Sequence, residues 1–177
     1  MRILVVNKKT IYTLLIIIFI IVVVAFYISF YNRIDETFYM DIYYKGNVDD
    51  KVVAFACNVD WGNEYILPML EIFQKENIKI TYFITGTWAE KNPELLKVIY
   101  DYGHEIGNHG YKHMDYDKLS YEKNKEEILR THNIIKETLG IESIYFAPPS
   151  GAYNDNTIKA AKDLNYDIIM WSIDTID

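Results

Sequence analysis

Apolar and polar positions along the chain change their rhythm twice. From residue 10 to residue 32 no charge interrupts a run of Ile, Val, Leu and Phe, and about 20 consecutive apolar residues suffice to cross a bilayer as a helix. Residues 10–32 are therefore predicted to form a transmembrane helix, with residues 1–9 as a short leading flank. From residue 33 to residue 50 the pattern is polar and mixed, and Gly46-Asn47 is a turn signal, so this stretch reads as a linker. From residue 51 to residue 177 short apolar runs alternate with amphipathic stretches, which predicts repeated βα units around a parallel sheet or barrel.

Strands are predicted at 52–57, 79–84, 105–107, 143–146 and 167–171, with helices at 64–76, 93–102, 120–139 and 156–164. Asn92-Pro93 sets a cap before a proline at a first helical position, and Gly103 is the matching stop. Ser120 opens the longest helix, with acidic residues near its positive end, and Gly140 closes it. No internal repeat or low-complexity tract breaks the series.

Charge orients the apolar helix. Arg2, Lys8 and Lys9 precede it, whereas Asp35, Glu36 and Asp41 follow the lone Arg33. The positive-inside rule then places the N-terminus in the cytoplasm and the folded part on the extracellular side, as a single-pass protein of the cell membrane. A cleaved signal peptide is the competing reading, but its apolar core is usually shorter and ends in small residues, while Ala25 here leads into Phe-Tyr-Ile-Ser-Phe-Tyr. Tyr27, Tyr31 and Tyr39 stand where an interfacial aromatic belt is expected.

A net charge of -7 and the lack of a basic cluster beyond Lys8-Lys9 exclude nucleic acid as the expected partner. The 16 tyrosines suit a half-wet rim better than they argue for a sugar groove. The single cysteine, Cys57, lies in an apolar run and reads as a small buried hydrophobe. His132 reads as a surface residue, and Glu126-Glu127 as a solvated helix face.

The segment Gly103-His104-Glu105-Ile106-Gly107-Asn108-His109-Gly110-Tyr111-Lys112-His113 carries the sharpest chemistry. Two imidazoles four positions apart can converge on one metal ion, with a carboxylate from elsewhere completing the set, although two unrelated surface histidines have the same spacing. Asp60 and Trp61 follow the first predicted strand, at the end where barrels gather their functional groups.

Gly-His-Glu-Ile-Gly-Asn-His with a further His four residues on resembles the metal-binding motif of the polysaccharide deacetylase family, the NodB homology domain. Ile80-Thr81-Tyr82-Phe83-Ile84-Thr85-Gly86 looks like that family's second strand, and Pro93-Glu94-Leu95 like the start of its next helix. Phe146-Ala147-Pro148-Pro149-Ser150-Gly151 sits where an Arg-Pro-Pro-Tyr-Gly type motif belongs, and Trp171-Ser172-Ile173-Asp174-Thr175-Ile176-Asp177 resembles the motif before a groove tryptophan. The resemblance covers residues 51–177 in the right order. It implies an α/β fold, a distorted (β/α) barrel incomplete at the C-terminus, and metal-dependent removal of acetyl groups from a glycan such as peptidoglycan. The implied cofactor is a divalent metal ion, commonly zinc in the family, on His109, His113 and Asp60, with His104 in a supporting role.

Three departures accompany the resemblance. The family's Thr-Phe-Asp-Asp is Ala56-Cys57-Asn58-Val59-Asp60 here, so Asn58 stands at the position of the catalytic base, where an amide cannot take a proton. Asp60 becomes the third metal ligand, one residue out of the usual spacing, or alternatively the base. The arginine and tyrosine of the later motif are Ala147 and Ser150, a paired loss that spares a buried guanidinium without its carboxylate. Asp177 ends the sequence before the motif that supplies the family's general acid, and Asp174 and Asp177 are the carboxylates after the last predicted strand, Asp174 being the catalytic candidate. Trp61, Pro148 and Ser150 are the positions expected to face substrate, although the proline pair also shapes its loop. The rival reading is a catalytically silent glycan-binding or scaffolding domain. A metallopeptidase is disfavoured because no His-Glu-x-x-His occurs.

Overall fold

The computed structural model describes residues 7–36, 42–47 and 49–175, with side chains of residues 30–36 left aside. Arg2, Tyr39, Asp41 and Asp177, and the side chains of Tyr31, Arg33, Asp35 and Glu36, therefore lie outside the described residues. The chain divides into two units, Met1–Met40 and Asp41–Asp177.

The first unit is helix α1, Lys8–Glu36. Its stretch Lys8–Ser29 has a mean hydropathy of 3.1 and no buried residue, so it is long and apolar enough to cross a membrane.

The second unit is built on a six-stranded, all-parallel sheet. Its strands are β1 (Ile42–Tyr43), β2 (Ala56–Val59), β3 (Thr81–Ile84), β4 (Glu105–Asn108), β5 (Tyr145–Phe146) and β6 (Asp167–Ile169), in the spatial order β1-β6-β5-β4-β3-β2. Each crossover from β2 to β6 carries helix: α2 (Asn63–Lys75), then α3 (Gly86–Lys91) and α4 (Pro93–Asp101), then α5 (Tyr121–Leu139), then α6 (Asp155–Asp163). Parallel neighbours require such crossovers. Among the described residues β1 and β2 form the two outer positions and do not pair, so the barrel curve is incomplete.

The alternation of side chains along the strands sorts them into two layers. Val59, Tyr82, Ile84 and Ile106 pack with Ile66 and Leu70 of α2, Leu96 and Ile99 of α4 and Ile135 of α5 in the main core, and Cys57 sits half-buried against it. On the opposite face Asn58 is in register with Phe83, and Phe83 with Gly107. A Cβ at Gly107 would stand 2.4 Å from the Phe83 ring, which is why this position has no side chain.

Local chemistry fixes the helix ends. Pro93 starts α4, whose first turn has no use for its missing N–H. Ser120 caps α5 by accepting from Lys123 N at 3.3 Å, and Gly140, at φ 72°, ends it. Asn154 and Thr157 form a reciprocal capping box on α6.

Two elements depart from the sequence expectation. β1 falls within the stretch read as linker: two residues are too few to show a period of 2, and the strand exists through its pairing of Ile42 with Ile168 and Tyr43 with Ile169. α3 has six residues and no amphipathic repeat of its own, so the pattern gives no sign of it between the second predicted strand and Pro93.

Candidate functional site

The C-terminal ends of β2, β3 and β4 bring the chemistry-bearing residues together. β4 ends in Asn108 and hands the chain to His109, whose N–H donates to the carbonyl of Ile84 at 2.9 Å, while Ala147 N–H donates to the Asn108 carbonyl at 3.0 Å. Flanking strands thus hold this turn on both sides. The Asn108 side chain, fully buried, donates to the Ile128 carbonyl at 2.8 Å and to Tyr166 Oη at 3.1 Å, and its Oδ1 accepts from Gly110 N–H at 2.8 Å. Gly110 follows at φ 75°, and a Cβ there would stand 1.8 Å from Tyr116 Oη, so backbone conformation and space both demand glycine.

His109 is 1% exposed. Its Nδ1 lies 2.7 Å from the Ala147 carbonyl, an acceptor only, so Nδ1 carries the proton and Nε2 presents a lone pair. That Nε2 is buried and has no hydrogen-bond partner. Burial lowers the His109 pKa to about 4 against the carbonyl bond that favours the cation, so the ring is neutral at physiological pH. A neutral imidazole with one nitrogen anchored and the other bare is the ligand form a metal site requires.

His113 is exposed, and its ring meets His109 edge to face with centroids 5.3 Å apart. Asp60, just beyond β2, is exposed and within electrostatic reach of His109. Its Oδ1 accepts from Thr85 Oγ1 at 2.8 Å, which leaves Oδ2 open. Among the described residues no three His, Cys, Asp or Glu side chains are already gathered tightly enough to grip an ion. The unpartnered Nε2 and the donor set of two imidazoles and a carboxylate nonetheless fit a divalent cation in chemistry.

The other candidates are spread around this cluster. Asn58 lies within β2, exposed, one strand residue before Val59 and two before Asp60. Pro148 is buried, while Ser150 is exposed in a left-handed conformation at φ 55° beside Gly151. The Gly151 position faces Trp171, where a Cβ would come within 2.9 Å of the indole. Asp174 is exposed in the irregular segment after β6. His104 is buried, accepting from Ile80 N–H at 3.2 Å and packed edge-on to Phe73 and Tyr82, with its pKa lowered chiefly by burial. It supports the fold beneath β3 and β4.

Several supporting residues escaped the sequence reading. Glu127 is 3% exposed: its Oε2 accepts from Lys112 N–H at 2.9 Å, between His109 and His113, and its Oε1 pairs with Lys123 at 3.1 Å. The expectation of a solvated Glu126-Glu127 face holds for Glu126 alone. Helix α3 also belongs to the site, because Gly86 N–H and Thr87 N–H donate to the carbonyls of Gly110 and Tyr111 at 2.9 and 3.0 Å. Tyr111 is clamped in turn by Glu90, at 2.8 Å, and by the Arg130 guanidinium 3.5 Å over its ring. His132 is no free surface histidine, since it bridges Tyr166 Oη and Glu142 at 2.8 Å each.

Comparison with known proteins identifies the family. A family model described as polysaccharide deacetylase matches residues 45–169. An uncharacterized Bacillus subtilis protein, YlxY, is 45% identical over 76% of this chain and 42% of its own length. A peptidoglycan-N-acetylglucosamine deacetylase of Bacillus cereus is 34% identical over 64% of this chain and 42% of its own length. The crystal structure of a CE4 family pseudoenzyme from Bacillus anthracis superposes with a TM-score of 0.77 at 37% identity, covering 80% of this chain and 50% of that one. A mutant of the same pseudoenzyme with restored enzymatic activity matches with the same TM-score at 34% identity, covering 80% and 52%. The chain thus spans about half the length of these relatives or less.

Proposed function

Since the chain belongs to the polysaccharide deacetylase family, we propose that its folded unit removes acetyl groups from a cell-envelope polysaccharide such as peptidoglycan, at a centre formed by Asp60, His109 and His113. The observation that carries this reading is the His109 imidazole, held by Ala147 through Nδ1 and left with a bare, buried Nε2. An unpaired buried acceptor costs free energy in the folded state, and a bound cation is what would offset it. A divalent ion, zinc in keeping with the family resemblance, would polarise the acetyl carbonyl and acidify the attacking water.

The chain's own groups do the rest. His109 and Asp60 are pre-set by Ala147 and Thr85, and His113 closes the set from the loop pinned by Glu127. In hydrolysis water adds to the acetyl carbon, the C–N bond breaks, the sugar nitrogen takes a proton, and acetate and an amine leave. Asn58 cannot take the water's proton. Asp60 has one oxygen engaged by Thr85 and one open, and as a ligand of the ion it would not also serve as the base. Asp174 is the candidate to protonate the leaving nitrogen, and Pro148 and Ser150 border the substrate's path. Helix α1 anchors the chain in the cell membrane with the folded unit outside, in reach of an envelope glycan.

Asn58 and the similarity to a pseudoenzyme favour a second reading, a silent glycan-binding domain that keeps the fold. Acetate release from an acetylated chitooligosaccharide, by the wild type and by Asn58→Asp, separates the two. Deacetylation requires measurable release by the wild type, raised about 10²- to 10⁴-fold when a base is restored. Release by Asn58→Asp alone would establish the silent domain, and release by neither would refute the hydrolytic site.

A further inference from the structure

Asp60 and Trp61 border the candidate site on its open side, exposed to solvent, whereas His109 is held from beneath by a file of polar groups that runs through the fold to the surface. The file starts at Asn108, whose Oδ1 accepts the Gly110 N–H at 2.8 Å and so brackets the backbone of His109 between the two residues. The Asn108 amide gives one N–H to the Ile128 carbonyl at 2.8 Å and the other to Tyr166 Oη at 3.1 Å. Tyr166, 2% exposed, meets His132 Nδ1 at 2.8 Å, and His132 Nε2 meets Glu142 Oε2 at 2.8 Å. Glu142 pairs in turn with Lys136, which stands on α5 with His132. The hydrogen bond from that ammonium holds the Glu142 carboxyl below its usual range.

The proton directions agree from both ends. An ionised carboxylate can only accept, so His132 Nε2 carries a proton and, in the neutral ring, Nδ1 is an acceptor. Tyr166 Oη already receives the Asn108 N–H, and its own proton answers Nδ1. A side chain that only filled the space under β4 would need no hydroxyl. With the hydroxyl present, both Asn108 N–H groups are satisfied and the amide keeps the one orientation that turns Oδ1 to Gly110; without it a buried donor is left unpaired. Resting on the metal-centre reading above, we infer that Glu142, His132 and Tyr166 are positioning residues for His109: they fix the Asn108 amide and, through its bracket to Gly110, the direction in which the bare Nε2 of His109 points.

The test uses the full chain in detergent micelles, as wild type, Tyr166→Phe, His132→Phe and His132→Asn. Amide hydrogen exchange is read by NMR on the metal-free protein, and Zn²⁺ affinity by calorimetry. Tyr166→Phe removes only the hydroxyl, and His132→Asn keeps an acceptor where Nδ1 stands. The expected result is Gly110 N–H exchange about tenfold faster in the two phenylalanine variants with the β3 amides unchanged, zinc affinity weaker by about tenfold or more, and recovery of both in His132→Asn. A merely structural loss would speed the Gly110 and β3 amides alike and leave zinc affinity at its wild-type value. That result, or exchange and zinc affinity like the wild type's in every variant, would overturn the positioning role while leaving the metal centre intact. A wild type that binds no zinc would overturn both.

Discussion

Glu127 and Glu126 are adjacent carboxylates on one helix, and replacing each with alanine separates a structural role from a solvated one. Glu127 is 3% exposed and its Oε2 holds the Lys112 N–H at 2.9 Å. A hydrogen bond to a charged group is worth roughly 1.5–3 kcal/mol, and its loss leaves the amide unsatisfied. The pair with Lys123 adds little, because that ammonium is substantially exposed. Glu127→Ala is therefore expected to cost the folded unit about 2 kcal/mol, which for a domain of about 140 residues lowers its melting temperature by roughly 7 °C. Glu126, with its side chain 61% exposed in a helical ion pair, should shift stability by no more than ~0.5 kcal/mol on replacement. Glu127→Gln, which keeps an acceptor, should fall between them. Thermal unfolding followed by circular dichroism reads all three on the unit Asp41–Asp177. Equal melting temperatures for Glu127→Ala and Glu126→Ala would refute the claim that the buried carboxylate pins the loop between His109 and His113.

Two further outcomes follow from the same turn. The His109 pKa is about 4 in the fold against an ordinary 6.5, so between those values the unfolded chain binds more protons. Metal-free stability should be complete above pH 6.5 and fall by about 3 kcal/mol as the pH drops to 4; urea titrations across that window check it, and a His109→Gln slope as steep as wild type's would remove His109 as the cause. Gly110→Ala combines a positive φ with a Cβ 1.8 Å from Tyr116 Oη, and a loss of roughly 2–5 kcal/mol is expected from backbone strain and overpacking together, measured by the same titrations.

Much of the fold was legible because long-period signals survive in the sequence. The alternation of apolar runs with capped helices located five of the strands in β2 to β6 and the helices α2, α4, α5 and α6 to within a few residues. The histidine spacing and its flanking glycines marked His109 and His113, and the sheet does bring Asp60 into electrostatic reach of His109. What escaped was decided by tertiary partners. β1 exists only because β6 offers it an edge, and α3 is held by carbonyls of the histidine loop. The opposite fates of Glu126 and Glu127 depend on which side of α5 meets Lys112, and the link from His132 to Tyr166 joins residues 34 positions apart. None of these leaves a local pattern to read.

Zinc binding is the most direct measure of the central claim, that Asp60, His109 and His113 form one metal centre. Isothermal titration of the metal-stripped chain with Zn²⁺, beside the chain with His109→Ala and His113→Ala, should show one ion bound per wild-type chain and none at that affinity in the double variant. A wild-type chain that is folded yet takes up no zinc, or a double variant that binds it equally well, would contradict the account.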